Sequence, residues 1–251
     1  MRIGIVGFGH VGTAMNKLFP DAVIYDEPKR IGTRRAINLC EVVFVCVPTP
    51  ANEDGSCDTS IVEDVISWLE CDVICLRSTV PVGFTDRMIE EQRKHVCFQP
   101  EYYGETVAHP FANIREQGWI TIGGYQRYVK KVVNAYKQIY TSDLRINIVD
   151  PCVAELAKYM ENCYLAMKVT FCNEFYDLAE QFGVDYDKLR ETWLLDPRIG
   201  RSHTFVYEDD RGFGGSCLPK DTSALVYQGQ KAGVDVSLME AVIAKNEKLI
   251  R

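Results

Sequence analysis

Residues 1–15, MRIGIVGFGHVGTAM, set the architecture of the N-terminal half of this chain. A short apolar run precedes three glycines, Gly7, Gly9 and Gly12, and a segment with helical spacing of apolar residues follows them. Glycines at this spacing permit a tight turn between strand and helix, and they let the backbone approach a pyrophosphate at the helix N-terminus. Glycine triplets also occur in many ordinary turns, so the motif gains its meaning from its surroundings.

The surroundings are typical of a dinucleotide site. A second apolar run, AVIY, ends at Asp26, 19 residues after Gly7, where a carboxylate contacts the hydroxyls of the adenosine ribose. Asp26 favours NAD over NADP because a carboxylate repels a 2′-phosphate, although the cations Lys29 and Arg30 leave this choice open. The cofactor contacts predicted from this region are Gly7, Phe8, Gly9, His10, Val11, Gly12, Asp26 and Arg30.

Further apolar runs alternate with helical patterns through the first 150 residues. The remaining strand candidates are 42–47, 72–76, 95–98, 119–123 and 145–149, and the helical patterns include 59–70, 84–93 and 125–140. This alternation predicts an α/β fold, with a Rossmann-like, doubly wound and mostly parallel sheet over residues 1–150.

Two strand ends are informative, because ligands bind beyond the carboxyl ends of the strands in such sheets. The third strand runs into Val47, Pro48 and Thr49, and the fourth is followed by STVPVG, which contains Thr79. These four residues are predicted to contact the cofactor. The alternative for Thr79 is an ordinary helix N-cap or turn residue.

From Pro151 onward the sequence is helical, and we predict an all-helical second domain over residues 151–251. No helix breaker occurs until Gly183, so about 30 residues at 1.5 Å each form a central helix of roughly 45 Å. A helix of this length needs apolar cover on several sides, which predicts a homodimer contact. Lys158 and Asn162 lie one turn apart on this helix, where a solvated polar stripe is the commoner explanation.

Charge and composition exclude several classes of partner. The net charge of −7 and the absence of a basic block argue against nucleic-acid binding, and no apolar run has the length of a membrane span. The chain begins without a signal-peptide pattern, and its ten cysteines are scattered without a CxxC pair, so we predict a cytoplasmic protein without a bound metal. One of them, Cys217 in GFGGSCLPKD, is either a buried thiol in a turn or a reactive thiol.

Several motifs together make the sequence resemble the nucleotide-sugar 6-dehydrogenase family, the UDP-glucose/GDP-mannose dehydrogenases. They are the glycine motif, VPTP, the EDGS-x-D stretch, STVPVG, PE at 100–101, AELAKYMENCYLAMK, NE at 173–174 and GFGGSCLPKD. The resemblance implies oxidation of the C6 alcohol of a nucleotide sugar to a uronic acid with two NAD. Members of this family continue into a second Rossmann-like, nucleotide-binding domain. The resemblance therefore implies a truncated member, because no part of residues 1–251 corresponds to that domain.

The resemblance also implies roles for individual residues. Cys217 would attack the aldehyde to give a thiohemiacetal and then a thioester, while Lys158 and Asn162 stabilise the oxyanion. The further catalytic residues are Asp221 for proton transfer through water, Thr79 for positioning water and Glu101 for thioester hydrolysis. Substrate contacts are Glu101, Lys158, Asn162, Gly214 and Arg198, the last reaching the substrate of a neighbouring subunit, and Glu105 resembles a cofactor contact.

Two alternatives stay open at this stage. A β-hydroxyacid or 6-phosphogluconate-type dehydrogenase has a similar fold and a helical Lys–Asn pair, but it catalyses a single oxidation and needs no thiol. A non-catalytic NAD-binding remnant is the other alternative, and the full set of polar site residues argues against it.

Overall fold

The N-terminal half forms one sheet of seven strands in the computed structural model, which describes residues 1–103, 114–140 and 144–250. The strands are β1 (Ile3–Val6), β2 (Val23–Tyr25), β3 (Val42–Val45), β4 (Val73–Leu76), β5 (Val96–Phe98), β6 (Trp119–Gly123) and β7 (Arg145–Val149). Their order is β2-β1-β3-β4-β5-β6-β7, and every neighbouring pair is parallel except β5 and β6. The predicted Rossmann-like, mostly parallel sheet is therefore confirmed.

The helices follow the predicted alternation, with two differences. They are α1 (His10–Leu18), α2 (Arg34–Ile37), α3 (Ser60–Trp68), α4 (Phe84–Gln92), α5 (Gln126–Tyr136), α6 (Pro151–Gln181), α7 (Tyr186–Trp193), α8 (Leu218–Lys231) and α9 (Ser237–Leu249). The short helix α2 was not predicted. Helix α8 begins at Leu218, whereas the sequence pattern predicts a helix over about 221–232, because Pro219 lies in the first turn, where its missing N–H costs no hydrogen bond.

The core of the sheet is built from its central strands. Strands β1, β3, β4 and β5 are buried along their whole length, as expected for parallel strands that are covered on both faces. One buried apolar cluster joins β1, β3 and β4 to α1 and α5, and a second joins them to α3 and α4. The chain reverses its direction of winding between β1 and β3, so the carboxyl ends of these strands form the switch point where ligands bind.

The chain forms two compact units. The first contains Met1–Pro50 and Cys57–Lys158, and the second contains Ala51–Ser56 and Tyr159–Arg251. Helix α6 begins at Pro151, where the second domain was predicted to start, but its residues up to Lys158 belong to the first unit. In the described part of the chain, no helix has both the length and the apolar character required to cross a membrane.

Candidate active site

The glycine motif forms the turn between β1 and α1, and its shape requires glycine. Gly7 has φ +88°, and a Cβ on it would lie 2.6 Å from the Cys46 carbonyl oxygen. A Cβ on Gly12 would lie 1.9 Å from the carbonyl oxygen of Gly7, so α1 lies directly against the turn. A Cβ on Gly9, the N-cap of α1, would meet no atom within 4 Å. The open space at this helix N-terminus fits a pyrophosphate, whose charge the helix dipole stabilises.

Asp26 lies directly after β2 and is held by the same turn. One carboxylate oxygen accepts a hydrogen bond from the Phe8 backbone N–H at 2.7 Å, and the other accepts one from the Lys29 backbone N–H at 2.8 Å. An ionised carboxylate has about four acceptor positions, so two remain for the hydroxyls of a ribose. Arg30 is exposed, with φ +57°, in the turn that the Asp26–Ile31 backbone pair closes.

Two further residues of the motif have different surroundings. The imidazole of His10 stacks on the ring of Tyr103, with 4.7 Å between the ring centroids and 26° between the planes. Val11 is half-buried and packs against the apolar cluster beneath α1. The ring of His10 therefore lies beside the glycine turn between β1 and α1, whereas Val11 faces the core.

The loops after β3 and β4 are joined by hydrogen bonds. Thr49 Oγ1 donates to the Thr79 carbonyl oxygen at 2.8 Å, and Ser78 Oγ donates to the Val47 carbonyl oxygen at 2.6 Å. These bonds bring Val47, Pro48 and Thr49 beside Thr79 at the carboxyl edge of the sheet. Helix α4 has Gly83 as its N-cap, so Thr79 does not cap it.

Glu101 belongs to a buried ion pair that the sequence did not predict. Its carboxylate contacts the guanidinium of Arg77, the first residue after β4, and the two side chains are 10% and 3% exposed. Arg77 Nη1 also donates to the carbonyl oxygens of Gln99 and Pro100, at 3.4 and 3.3 Å. Burial lowers the pKa of Arg77, but the Glu101 carboxylate, together with smaller contributions from Tyr136, Cys46 and Cys75, raises it by more, so the net pKa lies above its ordinary value. The Arg77 guanidinium therefore stays charged inside the first unit.

Lys158 is buried next to Glu101. Its ammonium group donates to the Glu101 backbone oxygen and lies 5.2 Å from the centre of the Tyr102 ring. The structure therefore brings Lys158 and Glu101, two of the predicted site residues, together.

Glu155, one turn before Lys158, was also missed. Its carboxylate accepts from the backbone N–H groups of Gly83 at 2.6 Å and Thr85 at 2.8 Å, which fastens the start of α6 to the N-terminus of α4. Burial raises the pKa of Glu155, although these two amides favour its charged form. Its position among the apolar residues of α6 was the feature of the sequence that could have indicated its burial.

The second unit brings Cys217, Asp221 and Asn162 together. Cys217 is the N-cap of α8, and its carbonyl oxygen accepts from the Asp221 backbone N–H at 2.9 Å. The Asp221 side chain is 1% exposed, pairs with Lys220, and accepts a hydrogen bond from Asn162 Nδ2 at 2.5 Å. Asn162 is therefore not part of a solvated stripe, because it is 5% exposed.

Cys217 differs from the other cysteines in its exposure. All ten cysteines lie in the described residues, and Cys217 is the exposed one, so the alternative of a buried thiol in a turn is wrong. Burial raises the pKa of Cys71, Cys97 and Cys163 to about 12, which suppresses their thiolate forms. Gly214 lies in the same exposed loop, and a Cβ there would meet no atom within 4 Å.

Two predicted residues are not joined to these groups. Arg198 lies in the exposed loop between α7 and α8, and its side chain is 86% exposed and paired with Asp196 of the same turn. Glu105 lies outside the described residues. In the part of the chain that the structure describes, no cluster of three His, Cys, Asp or Glu side chains could hold a metal ion.

Both halves of the chain match known proteins. The NAD-binding domain model of the UDP-glucose/GDP-mannose dehydrogenase family matches residues 29–142, and the model of its central domain matches residues 152–248. A UDP-glucose 6-dehydrogenase of Pseudomonas aeruginosa is 34% identical over 83% of this chain and 49% of that protein. One from Rhizobium meliloti is 32% identical over 85% of this chain and 52% of that protein.

A solved structure is similar over nearly the whole chain. The UDP-glucose dehydrogenase of Pyrobaculum islandicum has a TM-score of 0.85 and 27% identity, covering 98% of this chain and 68% of that one. This chain spans about half the length of the curated relatives that it matches. The predicted NAD-binding domain is confirmed by the family match. The chain belongs to the UDP-glucose/GDP-mannose dehydrogenase family.

Proposed function

We propose that this protein oxidises the C6 alcohol of a nucleotide sugar to a carboxylate in two steps, through a thioester on Cys217. The observation that carries the proposal is the exposed Cys217 thiol at the N-terminus of α8, one turn before a buried Asp221 that holds Asn162. NAD, bound by the glycine turn and Asp26, supplies a hydride acceptor for each oxidation. The relatives' names make UDP-glucose the first substrate to test.

Cys217 carries the covalent steps. The first oxidation removes a hydride from C6 and the hydroxyl proton, leaving an aldehyde. The sulfur then attacks the aldehyde carbon, the C=O electron pair moves to oxygen, and that oxygen takes a proton to give a thiohemiacetal. A second loss of hydride and proton gives the thioester. Water adds to the thioester carbonyl, the thiolate leaves, and the acid is released.

Polar residues of the chain support these steps. Lys158 and Asn162 stabilise the negative charge on the substrate oxygen as it develops. Asp221 exchanges protons with that oxygen through water, and Asn162 orients the Asp221 carboxylate. Thr79 positions water, and Glu101, whose charge Arg77 neutralises, accepts a proton from the water that hydrolyses the thioester.

We also propose that the protein is a homodimer through α6. Several large apolar side chains of this helix in the second unit are 42–74% exposed: Met160, Tyr164, Phe171, Phe175 and Leu178. Contiguous exposed apolar surface marks protein–protein contacts, and a stable one buries on the order of 1,600 Å² in total. Arg198, in its exposed loop, would then contact the substrate of the partner.

The test is the number of NADH molecules formed per product, across a panel of UDP- and GDP-sugars. We expect two NADH for each sugar acid. Cys217→Ala should lower the rate of sugar-acid formation by several orders of magnitude, as removal of other covalent nucleophiles lowers the rates of their reactions. One NADH per product, unaffected by Cys217→Ala, would support a single-step dehydrogenase. Binding of NAD without turnover of any sugar would support the non-catalytic alternative.

A further inference from the structure

The backbone that leads to Cys217 is held by a buried asparagine of α9. Asn246 is 5% exposed, its Oδ1 accepts from the Phe213 backbone N–H at 2.7 Å, and its Nδ2 donates to the Phe213 carbonyl oxygen at 2.9 Å. Gly212 makes room for this amide, because a Cβ there would lie 2.5 Å from Asn246 Oδ1. Gly212 also has φ +78°, which side-chain-bearing residues rarely adopt.

A second asparagine, in α6, holds the residues immediately before. Asn173 is 1% exposed, and its Oδ1 accepts from Arg211 Nε at 2.6 Å and from the Gly212 backbone N–H at 3.3 Å. Arg211 Nη2 donates in addition to the Asn173 backbone oxygen at 3.1 Å. The backbone is therefore fixed from two helices as far as Phe213, whose ring is itself buried.

Beyond Phe213 the loop has little support of its own. Residues 214–217 are exposed, and a Cβ on Gly214 or on Gly215 would meet no atom within 4 Å. The first turn of α8 then fixes Cys217 from the other side, through the bond between its carbonyl oxygen and the Asp221 N–H. The position of the thiol is thus determined by Phe213 at one end of the loop and by α8 at the other.

We propose that Asn246 is a positioning residue for Cys217, which keeps the thiol where it captures the aldehyde before that aldehyde leaves the enzyme. This inference rests on the proposed two-step oxidation. Both polar groups of the Asn246 side chain are used on the backbone of Phe213, so Asn246 acts through the loop and does not itself contact substrate. Loss of the two hydrogen bonds between Asn246 and Phe213 should slow the covalent step more than the first oxidation.

The change to test is Asn246→Asp. The aspartate keeps the shape and the acceptor for the Phe213 N–H, but it places a second oxygen against the Phe213 carbonyl oxygen, where the asparagine donates a hydrogen bond. The repulsion between the two oxygens displaces the backbone before Cys217. Should Asn246→Asp not fold, Asn246→Ser, which cannot span both groups of Phe213, replaces it.

Asn38 supplies a matched control in the first unit. Its Nδ2 donates to the Trp68 carbonyl oxygen at 3.0 Å and its Oδ1 accepts from the Glu70 backbone N–H at 3.1 Å, which is the same two-bond pattern. Asn38→Asp introduces the same oxygen–oxygen repulsion without touching the cysteine loop. This control variant measures the effect on turnover of losing two such hydrogen bonds through stability alone.

The measurement is the fate of each aldehyde. UDP-glucose and NAD are turned over with O-methylhydroxylamine present, and the free aldehyde trapped as an oxime is compared with the sugar acid formed. This ratio does not depend on the fraction of folded enzyme. In Asn246→Asp the ratio of oxime to acid should rise by about tenfold to a hundredfold, the range expected for a lost hydrogen bond and a misplaced reacting group. In Asn38→Asp it should equal that of the unmodified protein.

An unchanged ratio in Asn246→Asp, or an equal rise in both variants, overturns the inference. Absence of sugar acid with the unmodified protein contradicts the proposed function instead. Amide hydrogen exchange of Asn246→Asp then tests the inference that Asn246 holds the loop before Cys217. Faster exchange confined to residues 213–217 supports it. Faster exchange throughout α8 and α9 assigns Asn246 a general structural role and overturns it.

Discussion

Replacing Arg77 by methionine should destabilise the protein far more than loss of a surface arginine does. The side chain is 3% exposed, and the Glu101 carboxylate that it contacts is 10% exposed, so Arg77→Met leaves the buried Glu101 charge without its ion-pair partner. Breaking a buried ion pair in this way costs about 3–5 kcal/mol of the free energy of unfolding. The two hydrogen bonds to the carbonyl oxygens of Gln99 and Pro100 add about 1 kcal/mol each.

The double variant Arg77→Met/Glu101→Gln isolates the charge effect. It removes both charges, so we expect it to recover most of the loss and to remain about 2 kcal/mol below the unmodified protein because of the two carbonyl oxygens. The matched control is Arg87→Met, whose ion pair with Glu63 joins side chains that are 42% and 36% exposed. Exposed pairs contribute about 0–1 kcal/mol, so this variant should be nearly as stable as the unmodified protein.

The free energy of unfolding is measured by urea titration followed by circular dichroism, under one set of buffer conditions for all four proteins. This prediction is wrong if Arg77→Met loses no more stability than Arg87→Met does. It is also wrong if the double variant is as unstable as Arg77→Met, because the cost would then lie in packing and not in the unpaired Glu101 charge.

Three further predictions concern the cofactor, the oligomer and pH. NAD should bind more tightly than NADP in titration calorimetry, and Asp26→Ala should reduce the difference between the two affinities. Equal affinities in the unmodified protein would contradict the contact between Asp26 and the ribose. Met160→Glu, at a side chain 74% exposed, should give a monomer by light scattering, whereas Leu238→Glu on α9, 64% exposed, should not. Burial raises the pKa of Cys97 to about 12, above its value of roughly 8.5 in the unfolded chain. The stability that this neutral thiol contributes is complete below the lower pKa and is lost as the pH rises toward 12, so reduced protein should unfold more easily at pH 10 than at pH 8, with a smaller difference in Cys97→Ala.

The sheet could be predicted because its central strands are buried on both faces. VVFV and VICL read as continuous apolar runs for that reason, and the helices between them follow from the alternation. Helix α2 was missed because four residues are too few for a helical period. The antiparallel pairing of β5 with β6 leaves no trace in the composition of either strand.

The site was predictable where its residues are close in sequence. The glycine turn and the step from Cys217 to Asp221 each span a few residues, so their spacing alone brings them together. Partners far apart in sequence were missed where the family resemblance did not supply them, as with Arg77 and Glu101, 24 residues apart, and Phe213 and Asn246, 33 residues apart. No periodicity links such residues, because each pair meets only after the elements that carry it have packed.

A usable signal for the missed residues lies in the polar positions of apolar helical stripes. On α6, Asn162, Ala166, Val169 and Asn173 follow helical spacing, and all four are at least nine-tenths buried. A polar side chain in such a stripe must find hydrogen bonds in the interior, because burying an unpaired amide costs several kcal/mol. Asn162 bonds Asp221, and Asn173 bonds the backbone before Cys217. Asn246 follows the buried Val242 by one turn of α9 and obeys the same rule. A polar residue at such a position therefore identifies a fixed partner elsewhere in the fold, and here two of the three partners are backbone of the cysteine loop.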